Sequence, residues 1–93
     1  MAKPLFDTST VHFADLAEQC PVVPGAVVSK PLLNTPTFKH MIFSMDAGQE
    51  ISEHHAPFLA VVHVLEGRLQ FTAGDETRTM TRDDWVVMPP NAT

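Results

Sequence analysis

One cysteine, one tryptophan, four glycines and no tyrosine stand in a chain of 93 residues. A lone Cys20 cannot form an internal disulfide, so no oxidised framework holds this fold. It sits between Gln19 and Pro21 with no cationic cluster beside it, and it reads as a small buried hydrophobe rather than a nucleophile. Positive charge is scarce. Six Lys and Arg stand against eleven Asp and Glu, a net charge of −5. Phosphate neutralisation needs several cations on one face, so nucleic-acid binding is excluded. Long apolar runs are absent too. The longest, Phe58 to Val62, is far short of the roughly 20 residues of a membrane span. The N-terminus has no stretch of signal-peptide character. The expectation is a soluble cytoplasmic protein with no membrane partner. Nucleophile elbows, phosphate loops, Cys-x-x-Cys pairs and His-Glu-x-x-His helices do not occur.

What is present suits a single folded domain. The chain is 44% hydrophobic and 18% charged, too apolar for disorder and too short for a second core. At this size only about 60–65% of the unfolded surface is buried, so a partner subunit would help, and a homodimer is expected. Five of the eight prolines fall before residue 40, which predicts an irregular segment over residues 1–24. Within it Phe13, Leu16, Ala17 and Cys20 repeat at helical spacing. That predicts a helix of two or three turns, capped by Thr10 and ended by Pro21, with His12 on its surface. From residue 25 the pattern is that of strands: Ala26–Ser29, Phe38–Met45 closed by a turn at Asp46-Ala47-Gly48, and Ile51–Ala56. Leu59–Leu65 follows, so apolar that both its faces are expected to be covered. Arg68–Thr72 alternates cleanly, Ala73-Gly74-Asp75 makes a hairpin turn, and Thr77–Thr81 and Trp85–Met88 complete the series. Short strands with Gly-containing turns indicate an all-β sandwich or barrel.

The most informative stretch runs from Gly48 through His54, His55, Ala56 and Pro57 to Val64-Leu65-Glu66-Gly67. Gly48 is followed by five residues and then His54, and Gly67 closes the segment. Here the sequence resembles the cupin superfamily, in its small single-domain conserved-barrel form. That family's first motif reads G, five residues, H-x-H, three or four residues, E, six residues, G. Asp83 to Asn91, with Pro89-Pro90, resembles the second motif. The resemblance covers residues 25–93 and implies a double-stranded β-helix, or jelly-roll, barrel. It also implies that three histidines and a glutamate hold a divalent metal in the mouth. In a strand, residues i and i+2 face the same way, so an H-x-H pair converges on one ion.

This chain departs from that ligand set. His54 takes the first position. The second falls on Ala56, the glutamate position is Ala60, and the final histidine would be residue 94. The family's closing strand or strands would follow there, so either a longer natural chain, the N-terminal segment or a second subunit is expected to complete the edge. Three protein ligands are the usual minimum for a metal. His55 could join His54 only if a bulge re-aims one ring, with Glu53 or Glu50 supplying a carboxylate. Such a set would suit iron, and Mn, Ni and Zn stand as alternatives. His54 can equally be a hydrogen-bonded pocket histidine. His63 is expected on the outer face or at a subunit contact, and His40 as an ordinary strand histidine. Alanine at 56 and 60 leaves room for a small molecule, with Phe43, Met45, Phe58 and Met88 as further lining. Met41 and Trp85 read as core. Asp83-Asp84 reads as a solvated turn, and Asp83 at a family glycine position suggests a turn without positive φ. The reading is a cupin-type barrel that binds a small molecule over a degenerate metal site. The alternative is a metal-dependent dioxygenase or isomerase using His54 and His55.

Overall fold

The computed structural model describes residues 3–51 and 57–90. They fall into two compact units, Met1–Ile51 and Ser52–Thr93. The chain is mostly β: α1 (Leu16–Gln19) is followed by β1 (Val27–Asn34), β2 (Lys39–Met45), β3 (Ala60–His63), β4 (Arg68–Ala73), β5 (Glu76–Thr81) and β6 (Trp85–Met88). The strands form three antiparallel pairs, β1–β2, β3–β6 and β4–β5. The strand expected over Ile51–Ala56 lies outside the described residues, except for Ile51.

In the first unit, α1 is a single turn rather than two or three. Asp15 supplies the cap in place of Thr10, its carboxylate accepting from the Ala17 amide at 3.0 Å. A carboxylate one residue before the turn satisfies an orphan N–H and fixes the start. Phe13, assigned to the apolar face from its spacing, lies before the turn and is 95% exposed. His12 likewise precedes the turn rather than lying on a helix surface. At the other end the Lys30 ammonium donates to the Gln19 carbonyl at 2.7 Å, a cation on an orphan helix acceptor.

The core of this unit comes from alternation. Val28 and Leu32 on β1 share a face with Ile42 and Ser44 on β2. Leu32, Ile42 and Cys20 are buried there, with Phe6, Leu16 and Val28 packed against them. Cys20 is the buried small hydrophobe that its flanks suggested, and its carbonyl accepts from the Ser44 hydroxyl. Leu32 is 2% exposed, a burial that contributes about 1.5–3 kcal/mol. β1 runs well past Ser29, where the expected strand ends, and continues through Pro31 to Asn34. Proline lacks an N–H and is tolerated at a strand edge or bulge. Pro31 sits at both: the register shifts between Pro31 and Leu33, and on the outer edge Leu5 donates to the Pro31 carbonyl (2.9 Å) and Phe6 to that of Leu32 (3.1 Å). The N-terminal segment thus covers the free edge of β1.

The second unit is one long hairpin broken by a corner. Its tip is the two-residue loop Gly74-Asp75 between partners Ala73 and Glu76. Gly74 takes φ of 61°, the left-handed first position of a type II′ turn. β4 alternates as expected, Leu69 facing Met80 of β5 on one face and Gln70 facing Thr79 on the other. Beyond them the same two arms pair again as β3 and β6, Ala60 facing Met88 and His63 facing Trp85. Between the two ladders, residues 64–67 on one arm stand opposite residues 82–84 on the other. The extra residue makes a bulge, which bends the ladder. Val64 holds the corner: its amide donates to the Asp84 carbonyl (3.0 Å), and its carbonyl accepts from the Asp83 amide (2.7 Å). Val64 is buried, as is Met80.

Two sequence expectations change in this unit. Leu59–Leu65 is not covered on both faces; Ala60 and Val62 are half-buried while Val61 and His63 are exposed. Opposite them Trp85 is 59% exposed rather than part of the core. Asp83 does adopt a positive φ, 68°, alone among the described non-glycine residues. The short arm has three residues in which to turn, and the left-handed region makes that possible; aspartate tolerates it better than most side chains. Asp83→Val is therefore expected to be about 1–2 kcal/mol less stable than Asp83→Gly. Urea midpoints of the two variants give the comparison, and equal midpoints would show that the corner stores no such strain.

Candidate ligand-binding site

Of the residues singled out by sequence, His54, His55 and Ala56 lie outside the described residues, as does Glu53. The others are placed by strand parity. Ala60 on β3 faces Met88 on β6, and both are half-buried with Val62 and Val86 on the same side. That side is wholly apolar over the four paired positions. Phe58, just before β3, is 54% exposed.

In the first unit Phe43 and Met45 share a face of β2 with Met41, opposite to the face that buries Ile42. Their cross-strand neighbours are Ser29, Val27 and Pro31 respectively. Phe43 is 51% exposed. Both it and Met41 therefore belong to an accessible apolar face and not to the core of their own unit. Ser29 supplies the one hydroxyl among these three cross-strand pairs.

The remaining histidines go elsewhere. His63 is exposed, as expected, and its Nε2 lies 3.4 Å from the Asp83 carboxylate. His40 is exposed on β2, its ring 5.8 Å from that of Phe38. His12 closes a loop on Asp7: its Nε2 is 3.1 Å from the Asp7 carbonyl and 3.2 Å from the Thr10 hydroxyl. The sequence pattern does not mark Asp7, and it marks Asp83 only as a turn residue, not as a neighbour of His63.

Of the metal-ligand positions that the resemblance implies, position 60 alone lies among the described residues. The glutamate position is Ala60, whose methyl group offers no lone pair. Among the described residues no three His, Cys, Asp or Glu side chains come together. No step through a metal follows from these residues.

One carboxylate is strongly perturbed. The Ser9 amide donates to Asp7 Oδ1 at 2.9 Å, and so does the Ser9 hydroxyl. With His12 beside it, these donors hold the Asp7 carboxyl at about 2, below its ordinary 3.8. Donors to the charged form favour ionisation. A depressed carboxyl stabilises the loop above its unfolded value and loses that effect as pH falls through the folded one. A carbon-detected NMR titration of Asp7 is expected to show its midpoint near the lower value. Asp7→Asn should remove the loop's pH dependence between about 4 and 2; a midpoint at the ordinary value would refute the Ser9 clasp.

No family model matches the chain, and neither does any curated protein. Among solved structures, a conserved protein of unknown function from Streptococcus pyogenes is similar to it. The TM-score is 0.81 at 25% identity, over 98% of this chain and 80% of that one. No helix among the described residues is long and apolar enough to cross a membrane.

Proposed function

We propose that the chain is a small cupin-type jelly-roll barrel, working as a homodimer, that binds a small molecule in its mouth without needing a metal. Support for the architecture comes from the second unit. A long hairpin whose ladder breaks at a one-residue bulge and resumes is how a strand pair passes from one sheet of a sandwich to the other. The bulge falls at Val64-Leu65-Glu66-Gly67, the segment that closes the first motif of the resemblance.

Support for the function comes from one observation: alanine at the glutamate position stands on a half-buried apolar face, opposite Met88. A carboxylate there would anchor an ion; a methyl group instead frees volume in an apolar surface, the usual character of a small-molecule site.

Two measurements test this. Protein purified with iron, manganese, nickel and zinc is expected to carry well under one equivalent of any of them. A stoichiometric metal that disappears in His54→Ala would establish the metal-dependent alternative instead. A small-molecule screen by thermal shift is then expected to yield hits with the parent chain and none with Ala60→Phe, which fills the same face. Hits undiminished in a folded Ala60→Phe would place binding elsewhere.

A further inference from the structure

The two edges of the β1–β2 sheet differ. The outer edge of β1 carries Pro31 and is covered by Leu5 and Phe6. β2 pairs with β1 alone among the described residues, and it contains no proline, no glycine and a single lysine, at its first position. Edges are normally blunted by proline, by charge or by a covering segment, and an edge with little of these is a template for another strand. Bond parity says which groups β2 offers. The Pro31 carbonyl faces outward to the Leu5 amide, whereas the Asp46 amide donates inward to the Ala26 carbonyl at 3.1 Å. Even-numbered pairs such as Ala26–Asp46 and Lys30–Ile42 therefore exchange bonds, and the pairs made by Val27, Ser29 and Pro31 do not. The partners of those three residues, Met45, Phe43 and Met41, aim their N–H and C=O groups away from β1.

On the homodimer reading above, on which this rests, we propose that the outer edge of β2 pairs with the same edge of a second copy. The strands run antiparallel about a twofold axis, and two β1–β2 sheets become one of four strands. A twofold interface must be complementary to itself, and β2 meets that condition at one register. With Phe43 opposite the partner's Phe43, Met41 falls opposite the partner's Met45, and His40 opposite the partner's Asp46. The odd positions are then the bonded pairs, each exchanging two backbone bonds. They set Met41, Phe43 and Met45 of both copies in one apolar row, which aromatic and sulfur contacts favour. On the other face an imidazole meets a carboxylate; one Asp46 oxygen accepts from the Gly25 amide, and the other serves His40 of the partner subunit. The neighbouring registers are poorer. Centring on Ile42 sets the Lys39 ammonium against the partner's Met45, and centring on Ser44 sets the Asp46 carboxylate against the partner's Ile42.

Sedimentation and amide hydrogen exchange on the full chain test this edge. The parent chain is expected to sediment as a dimer, with the Met41, Phe43 and Met45 amides protected from exchange and losing that protection on dilution to monomer. Phe43→Lys removes an aromatic pair and sets two ammonium groups together at the axis, so the dimer dissociation constant should rise about tenfold. Phe43→Glu should do the same. An equimolar mixture of the two variants should recover the dimer, because residue 43 then meets an opposite charge. Circular dichroism reads the fold of each variant, and exchange in the parent chain decides the matter by itself should either fail to fold. A dimer that persists in both folded variants, or protection of the three amides that survives dilution to monomer, would overturn this edge and leave the homodimer standing. A parent chain that sediments as a monomer at every concentration would remove both.

Discussion

The corner at Val64 is the constraint from which most of the second unit follows. Two backbone hydrogen bonds from one buried residue hold the arms together where the regular ladder fails. Asp84 adds a side-chain clamp, its carboxylate accepting from the Thr81 amide at 2.7 Å. Without that closure the extra residue on the longer arm could slip. Because strand side chains alternate, a slip of one position would carry Ala60 and Val62 to the outer side and bring Val61 and His63 in. The apolar face proposed to meet a ligand thus depends on a turn that carries no ligand-binding side chain of its own.

The first unit solves a different problem with similar means. β1 contains a proline, which cannot donate, and a register shift follows it. The outer carbonyls of Pro31 and Leu32 are taken by Leu5 and Phe6, and Phe6 also packs on the Cys20–Leu32–Ile42 core. Edge protection and core filling come from the same short segment. The Asp7 clasp then ends it, with the Ser9 amide and hydroxyl and the His12 ring gathered around one aspartate.

Strand periodicity and turn chemistry were legible in the sequence. Arg68–Thr72 alternates strictly and carries glycine at its turn, so β4, the hairpin tip and β5 sit within a residue or so of their predicted bounds. The passive reading of Cys20 follows from its flanks in the same way. Three features needed more than local pattern. The helical spacing of Phe13 to Cys20 holds for one turn only, because Asp15 competes as a cap and its side-chain bond decides the start. Asp83 looked free of conformational demand, but the one-residue mismatch between arms is visible only once both are paired. The apolar run from Leu59 to Leu65 predicted burial on two sides, whereas alternation within this chain buries one. Of the candidate site, Ala60 and Met88 could be put on one face from their strands. Their pairing across an intervening hairpin could not, since it depends on a register that only long-range closure sets.

That nested pairing bears on how the chain reaches its fold. Gly74-Asp75 joins partners only three positions apart, Ala73 and Glu76, so the loop that must first be closed is among the shortest a sheet allows. Each further rung, out to Met80 facing Leu69 and then through the corner to Met88 facing Ala60, is brought within reach by the rung before it. The second unit can therefore assemble like a zipper drawn from its tip, with the bulge as its last tooth before the β3–β6 rungs engage. Short loops at every stage favour quick assembly for an all-β architecture.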